Sequence, residues 1–294
     1  MNDRQHSRIP NPITTAFQLV EGYQALLRET LGDSGLTQGD VAHVLEHLDD
    51  IGVDSQVLLS LNRSYALDER TFEDFCQDHL GGALFRTVYR SAPEQSRIDR
   101  LYRHQAEGIE SIVSGVDTIV ATGTGSGKTE TFLFPLLAHC LKNPGAGLKA
   151  LIIYPMNALA NDQLRRLAKL VEAAREDGHD LSFGSFTGQT PKNPADAREK
   201  EIEVRTLCDG HVVYRDDMRS HPPDILITNY VMLERMLTRD ADRAIFSGSG
   251  DRFRYVVLDE LHTYRGNKAA HLRGLLRRVL HILSSRPVFI GNSA

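Results

Sequence analysis

Residues 121–130 have the composition and spacing of a loop that binds nucleotide phosphates. They read Ala-Thr-Gly-Thr-Gly-Ser-Gly-Lys-Thr-Glu between two apolar runs, which predicts a strand, a glycine-rich turn and a helix. Glycines allow backbone N–H groups to turn toward phosphate oxygens, and a helix N-terminus adds partial positive charge at the same point. Lys128 would reach the β- and γ-phosphates, and the Thr129 hydroxyl would bind Mg²⁺. The residues expected to contact the nucleotide are Thr124, Gly125, Ser126, Gly127, Lys128, Thr129 and Glu130.

Two adjacent carboxylates, Asp259 and Glu260, follow the apolar run 255–258 and could serve nucleotide hydrolysis. Asp259, at the strand tip, is placed to bind Mg²⁺ through water, and Glu260 is placed to orient and deprotonate the attacking water. Taken alone, the loop could be a flexible turn that happens to contain Gly-Lys-Thr, and a strand that ends in Asp-Glu is common. Thr122 also stands where the strict phosphate loop has another glycine. Together they predict a hydrolysis site with Lys128, Asp259 and Glu260 as catalytic residues and with Thr129 and Asp259 as metal ligands.

Strand and helix patterns alternate after residue 98, which predicts an α/β fold with a doubly wound parallel sheet. Most candidate strands are short and nearly all apolar, as parallel strands covered on both faces are. Ligands of such sheets bind at the carboxyl ends of the strands, where the Gly-Lys-Thr turn falls. Residues 190–222 are polar and weakly patterned, which favours an insertion or a long surface excursion. The predicted strands are 118–122, 150–154, 182–186, 224–228, 254–258 and 287–290, and the predicted helices are 127–142, 157–176, 230–238 and 265–284.

Residues 1–97 are interpreted as a helical N-terminal accessory region. Apolar residues at helical spacing predict helices over 16–31 and 40–51, and a third over 71–80. No chemical motif stands out in this region, so we expect it to pack against the α/β domain at 98–294.

Composition limits the function classes that this chain can serve. The 294 residues carry a formal net charge of −5 and the sequence pI is about 6.2, so contacts with nucleic acid would have to be local. The three cysteines form no Cys-x-x-Cys pair, which argues against a zinc site or a disulfide framework. No apolar run approaches the roughly 18 residues that span a bilayer, and no signal peptide is recognisable. We therefore expect a cytoplasmic protein with no membrane partner.

Asp259-Glu260-Leu261-His262 resembles the DExH box of superfamily 2 helicases, and the other helicase motifs appear in order along the chain. Residues 101–105, Leu-Tyr-Arg-His-Gln, resemble the Q motif, which implies that Gln105 reads the adenine edge. Residues 154–164, 187–190 and 228–234 resemble three motifs that contact a nucleic-acid strand through backbone and polar groups. An ordinary strand-to-helix turn capped by Asn157 is compatible with the first of these. The strand contacts implied by the resemblance are Pro155, Met156, Asn157, Thr187, Gly188, Thr228 and Asn229.

The residues of these motifs resemble those of a bacterial group of large DEAD/DEAH-like DNA helicases. That group includes the mitomycin-repair helicases and the helicases of DISARM-type phage-defence systems. The resemblance covers roughly residues 98–294 and implies the first RecA-like domain of a motor that uses ATP and Mg²⁺ to move on DNA, commonly 3′ to 5′. It also implies that residues 263–266, Thr-Tyr-Arg-Gly, link hydrolysis to DNA.

Gly291-Asn292-Ser293-Ala294 stands where the resembled family has a Ser-Ala-Thr motif that couples hydrolysis to strand movement. We therefore expect an N-terminal fragment of a longer protein, in which a second RecA-like domain supplies an arginine to the transferring phosphate. The 294 residues alone are then expected to bind nucleotide weakly and to hydrolyse it poorly. The implied partners are DNA, as a single strand or a duplex junction, the second domain, and partner proteins of a defence system.

Other functions stay open from the sequence alone. A nucleotide switch or packaging ATPase explains the phosphate loop and the Asp-Glu pair, but not Gln105 or the motifs between them. An RNA helicase carries similar motifs, because the residues themselves do not distinguish RNA from DNA. A non-catalytic nucleic-acid-binding module with a relic phosphate loop is disfavoured by the intact catalytic residues. A nuclease would need clustered carboxylates, and the isolated pairs Asp49-Asp50 and Asp216-Asp217 indicate solvated surface.

Overall fold

The computed structural model describes residues 65–94, 97–123, 126–155, 157–247, 249–283 and 285–293, with the backbone alone for 157–162 and 247. The chain divides into two compact units, Met1–Ser64 and Tyr65–Ala294. The helices predicted over 16–31 and 40–51 lie outside the described residues, as do Thr124, Gly125 and Met156.

Seven parallel strands form one sheet in the described part of the chain, as the sequence predicted for a doubly wound α/β fold. They are β1 (Thr118–Ala121), β2 (Ala150–Tyr154), β3 (Phe183–Phe186), β4 (His211–Val212), β5 (Ile225–Asn229), β6 (Tyr255–Leu258) and β7 (Val288–Ser293). Their order across the sheet is β1, β7, β6, β2, β5, β3, β4. The strand that precedes the phosphate loop therefore lies at one edge, and β7 separates it from the strand that precedes the two carboxylates.

Helices cover both faces of the sheet because strand side chains alternate between two apolar cores. In β2, Ala150 and Ile152 belong to the first core, whereas Leu151 and Ile153 belong to the second. The first core packs against α1 (Phe72–Phe75), α2 (Gly82–Ser91), α3 (Arg103–Val113), α4 (Lys128–Lys142) and α5 (Asn157–Glu176). The next helix in the chain is α6 (Pro194–Glu199). The second core packs against α7 (Arg215–Ser220), α8 (Tyr230–Thr238), α9 (Asp240–Ser247) and α10 (Asn267–Ile282). Among these described helices, none is long and apolar enough to cross a membrane.

The helices before residue 97 share the first core with the sheet. The helix predicted over 71–80 begins at α1, where the Thr71 hydroxyl accepts a hydrogen bond from Asp74 N, and it continues as a π-helical turn over Cys76–Leu80. The ring centroids of Phe72 in α1 and Phe134 in α4 lie 5.4 Å apart, so α1 packs against α4. The compact unit accordingly begins at Tyr65, and the accessory role of residues 1–97 stays a prediction.

The weakly patterned segment 190–222 contributes to the sheet and to its packing. It supplies β4, which pairs with β3, and the helices α6 and α7. Arg219 of α7 forms a 2.6 Å ion pair with the buried Asp242 of α9. The segment therefore contains regular elements that the sequence did not indicate, since a two-residue strand and two six-residue helices are too short to give a clear hydrophobic period. Its interpretation as an insertion or a long surface excursion stays a prediction.

Candidate nucleotide and nucleic-acid sites

The carboxyl ends of β1, β7 and β6 bring three sequence motifs to one edge of the sheet. Because β7 pairs with both neighbours, Asn292 lies opposite Val120 and Gly291 lies opposite Leu258. The N–H of Thr122 donates to the carbonyl of Ser293 over 3.3 Å, which ties the start of the phosphate loop to the end of β7. The phosphate loop, the carboxylate pair and the end of β7 therefore adjoin one another.

The phosphate loop is held by its own polar groups. The Lys128 ammonium donates to the carbonyls of Thr122 (2.6 Å) and Gly123 (3.1 Å). Oγ1 of Thr122 lies 2.5 Å from Oγ of the buried Ser126, so the residue that replaces a glycine supplies a hydroxyl that fixes the loop. Gly127 precedes α4 with φ of 73°, in the left-handed region that favours glycine. The ammonium has three N–H donors, so one donor is left for a phosphate oxygen beside these two bonds.

Gln105 lies against the phosphate loop with both ends of its amide engaged. Oε1 accepts from Tyr102 N and Nε2 donates to the Gly127 carbonyl, each over 2.9 Å. A glutamine amide has two donors and two acceptor lone pairs, so these bonds use half of its capacity. Adenine reading by Gln105 stays a prediction, and holding the loop is a second role that the contacts add. Gln105 lines a cavity of about 340 Å³ with Leu67, Arg97, Ile98, Asp99, Arg100, Tyr102, Gly127 and Glu130.

Asp259 is buried at the end of β6, and two hydrogen bonds hold its carboxylate. Oδ1 accepts from Glu260 N (3.0 Å) and from Asn292 Nδ2 (2.6 Å). Burial raises the pKa of Asp259 to about 6 and the Glu260 carboxylate adds to this, while the two hydrogen bonds and the Lys128 charge oppose it. A cation bound beside this carboxylate would favour its ionised form.

Glu260 adopts a strained backbone and a different environment from Asp259. Its φ of 48° and ψ of 50° lie in the left-handed region, which residues other than glycine adopt rarely. Such strain concentrates at functional sites. Oε2 of Glu260 lies 3.3 Å from Nδ1 of His262, and Oγ of Ser293 lies 3.3 Å from the same nitrogen. One carboxylate is thus buried and fixed, and its neighbour is partly exposed at a turn.

A cavity of about 360 Å³ joins the phosphate loop to the two carboxylates. The Thr129 hydroxyl and the carboxylates of Asp259 and Glu260 line it together, and hard oxygen ligands of this kind suit Mg²⁺. The donor set therefore fits the predicted metal. Every described residue predicted to contact phosphate or metal lines this space: Ser126, Gly127, Lys128, Thr129, Glu130, Asp259 and Glu260.

Three further lining residues, Gln163, Arg166 and Asn292, were not predicted. Arg166 of α5 forms an ion pair with Glu130, and burial lowers the pKa of Arg166. Oε2 of Glu130 has no hydrogen-bond partner among the described residues. Asn292 stands at the carboxyl end of the last predicted strand, and this position was a signal that could have found it. Arg166 carried no such signal, because only the packing of α5 brings it to the phosphate loop.

A second cleft contains residues from three separate motifs that are predicted to contact a nucleic-acid strand, and it is named the strand cleft for this reason. Pro155, Gly188 and Asn229 line this space of about 440 Å³, and the other lining residues are Tyr230, Val231, Met232 and Arg235. Oδ1 of Asn229 accepts from Met232 N over 2.8 Å, so this side chain caps α8 as well as facing the cleft. The three motifs converge because β2, β5 and β3 are neighbours and end at the same edge.

Two predicted strand contacts have their side chains turned into the protein. Thr228 is buried and its hydroxyl donates to the Phe186 carbonyl over 2.7 Å. Thr187 is also buried, and its carbonyl accepts from Nη2 of Arg215 over 2.8 Å. Both residues position the cleft in this arrangement. The side chain of Asn157 and the whole of Met156 lie outside the described residues.

Aromatic contacts connect the turn that follows Asp259 and Glu260 with the strand cleft. Tyr264, five residues after Asp259, meets Tyr230 edge to face with ring centroids 6.2 Å apart. Tyr230 makes a similar contact with His271 of α10, also at 6.2 Å. The Tyr264 hydroxyl is buried with no hydrogen-bond partner among the described residues. Tyr264 of the segment 263–266 therefore contacts a residue that lines the strand cleft.

Residues 102–294 match the family model described as DEAD/DEAH box helicase. The chain belongs to the DEAD/DEAH box helicase family. Its phosphate loop, Asp259 and Glu260 thus belong to an ATP-dependent helicase domain, and the family implies ATP and typically Mg²⁺ as its cofactors.

Similar proteins are much longer than this chain. Druantia protein DruE from Escherichia coli is 28% identical over 271 residues, covering 61% of this chain and 15% of DruE. The ATP-dependent helicase YprA from Bacillus subtilis is 30% identical over 208 residues, covering 70% of this chain and 24% of YprA. The chain therefore spans a quarter or less of these curated relatives.

Solved helicase structures share the fold, so the predicted RecA-like architecture is confirmed. The helicase MrfA bound to DNA is 26% identical with a TM-score of 0.57, covering 79% of this chain and 28% of MrfA. The helicase Lhr of Mycobacterium smegmatis, bound to single-stranded DNA and AMP-PNP, is 29% identical with a TM-score of 0.51, covering 65% of this chain and 22% of Lhr. Mss116p bound to single-stranded RNA and AMP-PNP has a TM-score of 0.58 over 78% of this chain and 42% of its own, and its 20% identity shows a common fold alone.

Proposed function

We propose that this chain is the ATP-binding motor domain of an ATP-dependent DNA helicase or translocase. The observation that carries the proposal is that Lys128, Asp259 and Glu260 line one cavity at the same sheet edge as the strand cleft. A motor needs a hydrolysis site and a strand site on one rigid element, so that a change at the first can move the second.

The residues of the cavity have distinct proposed roles. The Lys128 ammonium neutralises charge on the β- and γ-phosphates. Thr129 and Asp259 hold Mg²⁺, which supplies further positive charge to the phosphate oxygens when bound. Glu260 accepts a proton from the attacking water as its oxygen bonds to the γ-phosphorus and the bond to the bridging oxygen breaks, which yields ADP and phosphate. Positioned charges of this kind account for most of the catalysis of phosphoryl transfer.

DNA is the proposed strand, and an RNA helicase is the alternative. MrfA and Lhr, both above 25% identity, are solved bound to DNA, which supports DNA. Backbone and polar contacts from Pro155, Gly188 and Asn229 would position the strand without reading its bases. A role in phage defence or DNA repair rests on the resemblance to the bacterial group named above and on the similarity to DruE.

A second RecA-like domain of the same protein is the proposed partner that completes the nucleotide site. The family resemblance implies that it supplies an arginine to the transferring phosphate, worth about 10³-fold or more in comparable enzymes. The expected result is that residues 1–294 alone turn ATP over far more slowly than the whole protein. Equal DNA-stimulated turnover by both would contradict this part of the proposal.

The deciding experiment compares Glu260→Gln with the unaltered whole protein in an ATPase assay. Glu260→Gln is expected to lower turnover by about 10²- to 10⁴-fold, the usual contribution of a general base, while ATP is still bound. Glu199→Gln is the matched control, because Glu199 is exposed at the end of α6 and lies outside both candidate sites. Full turnover by Glu260→Gln would overturn the proposed mechanism.

The strand is identified in the same assay by adding single-stranded DNA, duplex DNA or RNA to the unaltered protein. DNA is expected to raise the rate of hydrolysis. Stimulation by RNA without stimulation by DNA would favour the alternative substrate. If ATP is hydrolysed and neither nucleic acid changes the rate, a nucleotide switch becomes the better description.

A further inference from the structure

Arg235 supplies a positive charge to the wall of the strand cleft. Its side chain is exposed on α8, and it is the one charged residue among those that line the space. No described carboxylate lies within ion-pair distance of its guanidinium. By contrast, Arg219 and Arg239 both form ion pairs with Asp242. A guanidinium beside Pro155, Gly188 and Asn229 that has no carboxylate partner in the described part of the chain is available to an anionic ligand.

Val231 lies on the same face of α8 as Arg235. The two residues are four apart, which places their side chains one above the other on a helix. Val231 is 40% exposed, although Met232, Met236 and the other apolar residues of α8 are buried in the second core. The outer face of the helix therefore presents an apolar group and a cation side by side to the cleft.

The backbone carbonyls of Thr187 and of Gly188, which lines the cleft, accept hydrogen bonds from Arg215. Nη2 of Arg215 donates to the carbonyls of Thr187 (2.8 Å) and Gly188 (3.4 Å), and its guanidinium lies 5.0 Å from the centre of the Phe186 ring. These bonds direct the carbonyl oxygens toward Arg215. No described carboxylate lines the cleft beside Arg235, although the chain as a whole carries a net charge of −5.

We propose that Arg235 neutralises one backbone phosphate of a single-stranded nucleic acid and that Val231 packs against the adjoining sugar or base. This inference rests on the proposed function and adds a residue that the helicase motifs did not indicate. A guanidinium forms paired hydrogen bonds with phosphate oxygens, and a phosphate contact is independent of sequence, as movement along a strand requires. The positive charge of Arg235 lets a protein with a net charge of −5 bind a polyanion locally.

The test measures the salt dependence of binding to a fluorescently labelled oligothymidylate by the whole protein. Each phosphate that is neutralised on a single strand contributes about 0.7 to the slope of log affinity against log salt concentration. Arg235→Ala is expected to weaken binding and to lower the magnitude of this slope by about 0.7. Arg235→Lys keeps the charge and is expected to keep the slope. Val231→Ala is expected to weaken binding with the slope unchanged.

The matched control is Lys169→Ala, which also removes one exposed positive charge. Lys169 lies on α5, a helix that packs on the opposite face of the sheet from α8. It is expected to leave both affinity and slope unchanged. An equal loss of slope in Lys169→Ala and Arg235→Ala would show that only net charge matters and would overturn the inference.

The other outcomes separate this inference from the proposed function. If the unaltered protein binds no nucleic acid, the proposed function fails. If it binds and Arg235→Ala has the slope of the unaltered protein, the role of Arg235 is wrong and the motor function is unaffected. Arg235→Glu is the second variant, expected to lower the slope by more than Arg235→Ala, and thermal unfolding midpoints equal to that of the unaltered protein show that both variants are folded.

Discussion

The amide of Asn292 donates a 2.6 Å hydrogen bond to the carboxylate of Asp259, and both side chains are buried, with 5% and 7% of their surface exposed. Asn292 lies on β7, and Asp259 directly follows the neighbouring strand β6. Because β7 also pairs with β1, Asn292 connects the carboxylate to the strand of the phosphate loop. Its own Oδ1 has no hydrogen-bond partner among the described residues, so an acceptor adjoins the same cavity.

Loss of this amide is expected to impair hydrolysis more than nucleotide binding. A hydrogen bond to a charged group contributes about 1.5–3 kcal/mol, so Asn292→Ala should lower turnover by about 10- to 100-fold. The reason is that Asp259 loses the donor that fixes its orientation toward Mg²⁺. Steady-state ATPase kinetics of the whole protein give kcat and KM separately. Asn143→Ala, at the exposed end of α4, is the control, and an unchanged kcat in Asn292→Ala would exclude this role.

Replacing Gly127 strains the phosphate loop and displaces the side chain of Gln105. A left-handed conformation costs a residue with a side chain about 1–2 kcal/mol, and a Cβ at this position would collide with Nε2 of Gln105. Gly127→Ala is therefore expected to raise the dissociation constant for ATP by at least about 10-fold. Titration with a fluorescent ATP analogue measures it.

Gly274→Ala is the comparison for this prediction. A Cβ at Gly274, inside α10, would meet nothing within 4 Å. This substitution should leave nucleotide affinity unchanged and raise the free energy of unfolding by up to about 1 kcal/mol through helix propensity. Similar nucleotide affinities for both variants would contradict the loop geometry.

The ion pair between Glu130 and Arg166 is expected to act as a unit in nucleotide binding. Without Arg166, a largely buried carboxylate would stand uncompensated beside the site of a triphosphate. Arg166→Ala should therefore weaken ATP binding more than Glu130→Gln does, and the double variant should recover part of the loss. Coupling of directly contacting residues is about 0.5–3 kcal/mol, which a double-mutant cycle of dissociation constants resolves. Strict additivity of the two substitutions would rule out a functional pair.

The folded state is expected to lose stability as pH falls from about 6.5 toward about 4, in part through His211. Its ring stacks on Phe183 with centroids 4.7 Å apart, and Nδ1 accepts from Leu207 N. Burial lowers the pKa of His211 to about 4. Between the two values the unfolded chain binds a proton at this residue and the folded chain does not, so the free energy of unfolding rises with pH and falls on acidification.

Urea unfolding at pH 7, 6 and 5 measures this dependence. His211→Gln should show a weaker fall between pH 6.5 and 5 than the unaltered protein, because the titrating ring is gone. His221→Gln, at an exposed position, should retain the full fall. Parallel pH profiles for His211→Gln and the unaltered protein would refute the contribution of the buried ring.

Much of the fold was predictable because its longer elements have a clear hydrophobic period. The helices α5 and α8 have the predicted bounds, and α4 and α10 differ by one or two residues at their ends. The strand β4 and the helices α6 and α7 escaped prediction, since two to six residues do not complete a recognisable pattern. The phosphate loop and the Asp259-Glu260 pair were also predictable, because each depends on neighbours in the chain.

The residues that complete the two candidate sites depend instead on contacts between positions far apart in the chain. Asn292 reaches Asp259 across 33 positions, and Arg166 reaches Glu130 across 36. Gln105 engages Gly127, which leaves its expected contact with adenine a prediction. The hydroxyl of Thr228 donates to the Phe186 carbonyl, and the contact with nucleic acid implied for this residue stays a prediction.

The amino-acid sequence by itself determined that the chain carries a phosphate loop, a carboxylate pair and an α/β alternation, since these depend on residue types at short and constant spacing. The tertiary structure alone decided that β7 lies between β1 and β6, which places Asn292 in the cavity with Lys128, Asp259 and Glu260. It also decided that α8 presents Arg235 to the strand cleft and that α5 brings Arg166 to the phosphate loop. The physical reason is that strand order and helix packing are set by the burial of two apolar cores, and that burial sums contacts between residues far apart in the chain.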